Sequence, residues 1–247
     1  MVKLRGIELG KGKPKICVPI AGKTIEEIKA QAVKIAKTNA ELAEWRVDYA
    51  EFAHDRNIIE EVLKNLREIL GEKILLFTFR TKKEGGEQEI SISEYFELNC
   101  FVAKTGYIDL IDVELFSGEE EVANCIQKIH NCACKVILSN HDFAKTPEEA
   151  EIVRRICKME QLGADILKIA VMPQKPIDVI TLLGATCKAN DIVKKPVVTM
   201  SMAKLGVVSR LTGGIFGSAI TFGTVEQASA PGQIPVGELS AYLEFFS

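Results

Sequence analysis

Lys168 stands in the most apolar strand-like run of the chain, Ile166-Leu167-Lys168-Ile169-Ala170-Val171. A lysine in such a run more often reaches solvent or neutralises a carboxylate, for which Glu44 or Glu114 would serve here. Apolar flanks on a central strand favour an inward, desolvated side chain instead. Desolvation disfavours the ammonium, and a neutral amine attacks carbonyl carbon to form a Schiff base. His141 ends a neighbouring run, Ser139-Asn140-His141-Asp142-Phe143, whereas His54 lies in a polar loop and His130 at a helix end. An imidazole beside a Schiff-base lysine shuttles protons well near neutral pH, although a purely structural hydrogen bond is the competing reading. A carboxylate such as Glu84 would fix its tautomer and raise its basicity.

Other polar residues fall at the ends of strand-like segments. Glu44, Asp48, Asp112 and Glu114 are numerous enough to hold Mg²⁺ or Mn²⁺. Arg46, Arg80 and Lys168 come from the same set of ends, so a charge-compensated ion-pair network is preferred to a metal site. Arg210 is a candidate carboxylate clamp through its planar fork, while Gly213-Gly214 beyond it offers a phosphate site at a helix N-terminus as the alternative. The run Ala228-Ser229-Ala230-Pro231-Gly232-Gln233 is either a plain connector or a lid that brings Ser229 and Gln233 onto substrate hydroxyls. Met200 and Met202, alternating with Thr199 and Ser201, read as core filler.

Such residues act together only if one scaffold gathers the ends of many strands. Eight β-branched segments, at 15–21, 42–48, 73–80, 107–115, 135–143, 165–172, 196–202 and 217–224, alternate with segments of helical spacing. Ile25, Ile28, Ala32 and Ile35 share one helical face, as do Ile59, Val62, Leu63, Leu66 and Ile69. Helix starts are expected at Thr24, Asn57, Ser91 and Thr146, each followed three residues later by Glu. Residues 209–216 suggest a stubby helix and 238–247 a last one.

Strands alternating with helices require parallel pairing with right-handed crossovers, in either an open doubly wound sheet or a closed (β/α)₈ barrel. The size, the eight units and the missing GxGxxG favour the barrel. So does the period-2 polarity of Glu44-Arg46-Asp48, Asp112-Glu114 and Ser139-His141, which suits an inner wall. Residues 2–13 read as a short hairpin with a Gly10–Gly12 turn closing the barrel bottom. The expectation is an α/β fold, a (β/α)₈ TIM barrel forming a single catalytic domain over residues 1–247.

The chain has 247 residues, 47% of them hydrophobic, and a formal net charge of -3. That charge argues against nucleic acid as a partner. The seven cysteines have no zinc-knuckle or CxxC spacing and read as reduced thiols. Residues 1–30 carry lysines and Arg5 but no apolar signal core, and the longest uncharged stretch, 211–225, is too short to cross a bilayer. A cytoplasmic protein without a membrane partner is expected.

The sequence resembles the type I 3-dehydroquinate dehydratases along essentially its whole length. The resemblance is carried by Glu44-Trp45-Arg46-Val47-Asp48, Thr78-Phe79-Arg80 with Glu84-Gly85-Gly86, Ile111-Asp112-Val113-Glu114 and Ser139-Asn140-His141-Asp142-Phe143. It continues through Lys168-Ile169-Ala170-Val171-Met172-Pro173, Thr199-Met200-Ser201-Met202, Ser209-Arg210-Leu211 and Ser229-Ala230-Pro231-Gly232-Gln233. Together, in order, these are highly specific.

The resemblance implies a hydro-lyase of the shikimate pathway of aromatic amino acid biosynthesis, converting 3-dehydroquinate to 3-dehydroshikimate by syn elimination. Lys168 would form the imine, His141 would be the general acid/base and Glu84 its support. Arg210 would hold the substrate carboxylate. Glu44, Arg46, Arg80, Ser229 and Gln233 would contact hydroxyls and ring, with Met200 and Met202 packed against the ring. It further implies a metal-free, cofactor-free homodimer. Two rivals are a class I Schiff-base aldolase and a non-catalytic barrel that binds a sugar acid with Lys168 protonated.

Overall fold

Strand parity organises the molecule. In the computed structural model, which describes residues 1–225 and 234–246, alternate strand residues divide into two buried sets. One set, including Ala43, Trp45, Leu75, Phe77, Ile111, Val113, Val136, Leu138, Leu167 and Ile169, packs outward against helices. The other, including Leu42, Ile74, Leu110, Ile137, Ile166 and Val198, points inward at the N-terminal ends of the strands. Continuing along the same inner face, the residues become polar: Glu44 after Leu42, Asp112 and Glu114 after Leu110, Ser139 and His141 after Ile137, Lys168 after Ile166. The bottom of the barrel is apolar and its top is charged.

The elements follow the expected alternation. A hairpin, β1 (Val2–Leu4) and β2 (Ile7–Leu9), precedes β3 (Lys15–Ile20), α1 (Ile25–Ala36), β4 (Leu42–Arg46) and α2 (Arg56–Leu70). Then come β5 (Ile74–Thr78), α3 (Ile92–Lys104), β6 (Leu110–Glu114), α4 (Glu119–His130), β7 (Lys135–Asp142) and α5 (Glu149–Gln161). The chain continues with β8 (Ile166–Val171), α6 (Pro176–Ile192), β9 (Val197–Ser201), α7 (Val207–Thr212), β10 (Ile220–Thr224), β11 (Ile234–Pro235) and α8 (Val236–Phe245). Strands β3 to β9 pair in sequence order, all parallel, and β10 pairs with β3. A parallel bridge between Val197 and Ser218, with the Ala219 N–H donating to the Val197 carbonyl at 2.8 Å, joins β9 to the approach of β10. The (β/α)₈ barrel is thereby closed. The short parallel strand β11 beside β10 has no counterpart in the sequence reading.

The hairpin does close the bottom, because Val2 and Leu9 pack with Leu42, Ile74 and Leu110. Its turn, however, is Arg5-Gly6, both at positive φ, rather than Gly10–Gly12. Arg5 holds that turn to the barrel through Asp109 at 2.7 Å.

Two helix starts also differ. Asp55, not Asn57, caps α2, accepting from the Asn57 and Ile58 amides; an acidic cap two residues earlier satisfies the same free N–H groups. Helix α5 begins at Glu149 with Glu148 as its cap, because the Thr146 hydroxyl is already committed to the Met172 carbonyl at 3.1 Å. Thr24 and Ser91 cap as expected, Ser91 with a full reciprocal box to Glu94.

Candidate active site

Lys168 projects inward from β8 with its side chain only 4% exposed. Its Nζ lies 3.8 Å from Glu44 Oε1, 3.8 Å from Asp112 Oδ2 and 4.5 Å from the centroid of the Phe222 ring. The amine is therefore desolvated and charge-compensated at once. Glu44 is a partner as anticipated; Glu114 is not, because Arg80 takes it at 2.7 Å.

Arg80 sits just beyond β5 and also reaches Asp112 at 2.9 Å and Ser139 Oγ at 3.1 Å. Burial works against its charge, but Asp112 and Glu114 outweigh that and hold the guanidinium protonated well above its usual range. Arg46 grips Asp48 through two bonds of 2.8 Å, and Thr78 donates to Glu44 at 2.9 Å. All four acids thus face side-chain cations of the same rim.

His141, at the C-terminal end of β7, places Nδ1 2.9 Å from Glu84 Oε2. Glu84 is fixed from three directions: that ring contact, the His141 backbone N–H at 2.9 Å and the Asn140 amide at 3.1 Å. Its loop can approach so closely because of two glycines. A Cβ on Gly86 would stand 1.8 Å from the Arg80 carbonyl oxygen, and one on Gly85, at φ +85°, would meet the Phe143 ring at 2.5 Å.

The pair is electrostatically asymmetric. Burial, then Glu114, pushes the Glu84 carboxyl up to about 8 against the pull of Arg80 and its N–H donors. Burial, then the positive charges of Arg80, Lys168 and Arg46, holds the imidazole well below its ordinary range. Neutral pH therefore finds His141 uncharged, and the Glu84 carboxyl, still protonated there, decides which ring nitrogen keeps its lone pair.

Arg210, from α7, is buried and differs from the other arginines of the rim. Its Nε has no hydrogen-bond partner among the described residues, and Nη1 reaches only the Met200 sulfur at 3.7 Å. Burial alone draws it down to about 10, so it remains charged at neutral pH. A buried cation with no anion beside it among the described residues is suited to an external one.

These groups converge on one cavity of about 250 Å³, walled by Glu44, Arg46, Arg80, Glu84, His141, Lys168, Met200, Met202 and Arg210. Sequence reasoning missed Tyr49, Phe143 and Phe222, which line it as well. Phe143 and Phe222 lay inside predicted strands, where an aromatic carries no sign of the direction it faces. Ser229 and Gln233 lie outside the described residues.

A closed parallel barrel with a buried lysine, a histidine–glutamate pair and an arginine unpaired among the described residues at its C-terminal mouth defines a barrel enzyme with its site in the usual place. The chain belongs to the type I 3-dehydroquinase family, whose sequence pattern matches residues 16–247. It is 50% identical over 244 residues to the 3-dehydroquinate dehydratase of Bacillus licheniformis, covering 98% of this chain and 96% of that one. The Clostridium kluyveri 3-dehydroquinate dehydratase is 47% identical, covering 100% and 98%. Among solved structures, the type I 3-dehydroquinate dehydratase of Clostridium difficile with covalently modified comenic acid superposes with a TM-score of 0.97 at 48% identity, covering 99% of this chain and 97% of that one.

Proposed function

We propose that the chain dehydrates 3-dehydroquinate to 3-dehydroshikimate, a shikimate-pathway step, through a Schiff base on Lys168 with His141 as general acid/base. The observation that carries this reading is the convergence of three chemically distinct groups on one small cavity. They are a desolvated amine, an uncharged imidazole backed by the Glu84 carboxyl, and an arginine with no counter-ion among the described residues.

Each answers one demand of the substrate. Lys168 attacks the C3 ketone, and the resulting iminium accepts the electron pair left when the weakly acidic C2 proton is removed. His141 takes that proton through Nε2, since Nδ1 faces Glu84. The imidazolium then protonates the departing C1 hydroxyl on the same face, so one residue serves both halves of a syn elimination. Water hydrolyses the imine and frees Lys168. Arg210 binds the substrate carboxylate. Glu44, Arg46 and Arg80, with Ser229 and Gln233 on sequence grounds, contact hydroxyls and ring, while Met200 and Met202 pack against it. No metal or organic cofactor enters any step. A single catalytic domain, a homodimer and a cytoplasmic location complete the proposal.

Incubating the chain with 3-dehydroquinate tests the activity, since elimination conjugates a double bond with the ketone and creates near-ultraviolet absorbance. Absorbance growth supports the dehydratase. Cleavage of phosphorylated sugars without that growth would favour the aldolase, and binding without turnover the sugar-acid barrel.

Arg210→Met is expected to raise KM about 10–100-fold, as for losing a hydrogen-bonded charge contact of about 1.5–3 kcal/mol, with a smaller fall in kcat. An unchanged KM would remove Arg210 from carboxylate binding.

The His141–Glu84 pair sets a pH dependence. While Glu84 holds its proton it donates to Nδ1, leaving Nε2 protonated and unable to act as base. As pH rises through about 8 the carboxyl ionises, Nδ1–H turns toward it and the Nε2 lone pair is released. Proton abstraction should therefore rise with pH across that range. In Glu84→Gln the rise should move to lower pH, because the imidazole alone is held low. A rise unmoved by the substitution would separate Glu84 from this role.

A further inference from the structure

We propose that Cys100 and Cys125 are a peroxide-sensitive dithiol that forms a reversible disulfide stapling α3 to α4 on the outer wall of the barrel. Their Sγ atoms lie 4.0 Å apart, in contact across two helices that are neighbours in the barrel's outer layer. Both line a groove of about 960 Å³ that opens to solvent, together with Phe96, Phe101, Lys128 and Cys132. The groove is remote from the Lys168 cavity, with no lining residue in common.

The two thiols are suited to different parts. Cys100 is half-buried and Cys125 is buried. The hydrogen bond with Cys125, then the nearby Lys128 and Lys104, pulls the Cys100 thiol down to about 7 against burial, while Cys125 is raised. A thiolate reachable from solvent and touching a second thiol has the arrangement of an attacking and a resolving cysteine.

Cys134, Cys17 and Cys187 each lack one part of it: Cys134 is buried against the carbonyls of Ala103 and Ile108, Cys17 is buried inside the barrel, and Cys187 is exposed.

The chemistry balances with hydrogen peroxide as oxidant. The Cys100 thiolate attacks one peroxide oxygen; an S–O bond forms, the O–O bond breaks, and hydroxide leaves to take up the thiol's proton as water. Cys125 then attacks the sulfenic sulfur, forming S–S and breaking S–O, and the released hydroxide carries off the Cys125 proton as a second water. Two thiols lose two electrons and one peroxide becomes two waters. Small thiols reverse the bond by exchange. A staple here would tether α3, whose Tyr95 hydroxyl accepts from the Glu114 N–H at 2.9 Å and so braces the strand that carries Asp112 and Glu114.

The test is peptide mapping without reductant after graded peroxide treatment of the intact protein, with intact mass measured beside it. The expected result is loss of two hydrogens, a linked Cys100–Cys125 peptide and full reversal by dithiothreitol. Cys187→Ser should leave this unchanged, whereas in Cys125→Ser the oxidation should halt at a Cys100 sulfenic acid that a dimedone-type nucleophile captures. No linked peptide in the wild-type protein, Cys100 joined to Cys132 instead, or oxidation confined to Cys187 would each overturn the proposal.

Discussion

Lys168→Ala is expected to abolish the dehydration of 3-dehydroquinate, with turnover below about a thousandth of wild type, because no other amine lines the cavity among the described residues. Substrate should still bind, since the carboxylate and hydroxyl contacts assigned to Arg210, Arg46 and Arg80 are untouched. The substitution has a structural cost as well. It strips Glu44 and Asp112 of a cation 3.8 Å away in a buried setting, and breaking a buried pair from one side costs about 3–5 kcal/mol. Arg80 remains on Asp112 at 2.9 Å and Thr78 on Glu44 at 2.9 Å, so part of that cost is offset. Activity and calorimetric binding measured below the variant's melting transition separate the two effects. Turnover above a thousandth would contradict a covalent route through this amine.

His141→Ala is expected to fail differently. Lys168 keeps its partners and still forms an imine, but the C2 proton has no positioned acceptor and the C1 hydroxyl no donor. Loss of a general acid/base typically costs about 10²–10⁴-fold, and serving both proton transfers puts His141 at the upper end. The covalent species should accumulate with little product, visible as a mass shift in rapid quench samples. Wild-type turnover would remove His141 from the chemistry and leave it the structural hydrogen-bonding role.

Much of this site was legible because barrel strands write their inner face at period 2. Leu42-Glu44-Arg46 and Ile137-Ser139-His141 each run from apolar to polar along one face, which identifies both the barrel wall and its open end. What the pattern does not encode is pairing across strands. Asp112 and Glu114 are equivalent as residues in the sequence; the curvature of the barrel lets Arg80 reach both while Lys168 reaches Asp112 but not Glu114. Arg155 was overlooked for a related reason. On α5, beside Glu151 and Arg154, it reads as a solvated surface charge, yet it donates to Asn140 Oδ1 at 2.8 Å and so orients the amide that holds Glu84. The hairpin turn was misplaced because glycine marks where positive φ is easy, while Arg5 supplies one where the bond to Asp109 compensates. Hydrogen-bond competition explains the shifted start of α5, since nothing local shows that Thr146 is bonded to Met172.

Borohydride trapping decides whether Lys168 forms the covalent bond to substrate. The protein is incubated with 3-dehydroquinate, reduced with borohydride, and compared by intact mass and peptide mapping with a sample lacking substrate. One substrate-derived adduct per chain is expected, carried on Lys168 and absent without substrate. An enzyme that turns over 3-dehydroquinate yet yields no adduct, or carries it on a lysine other than Lys168, would contradict it.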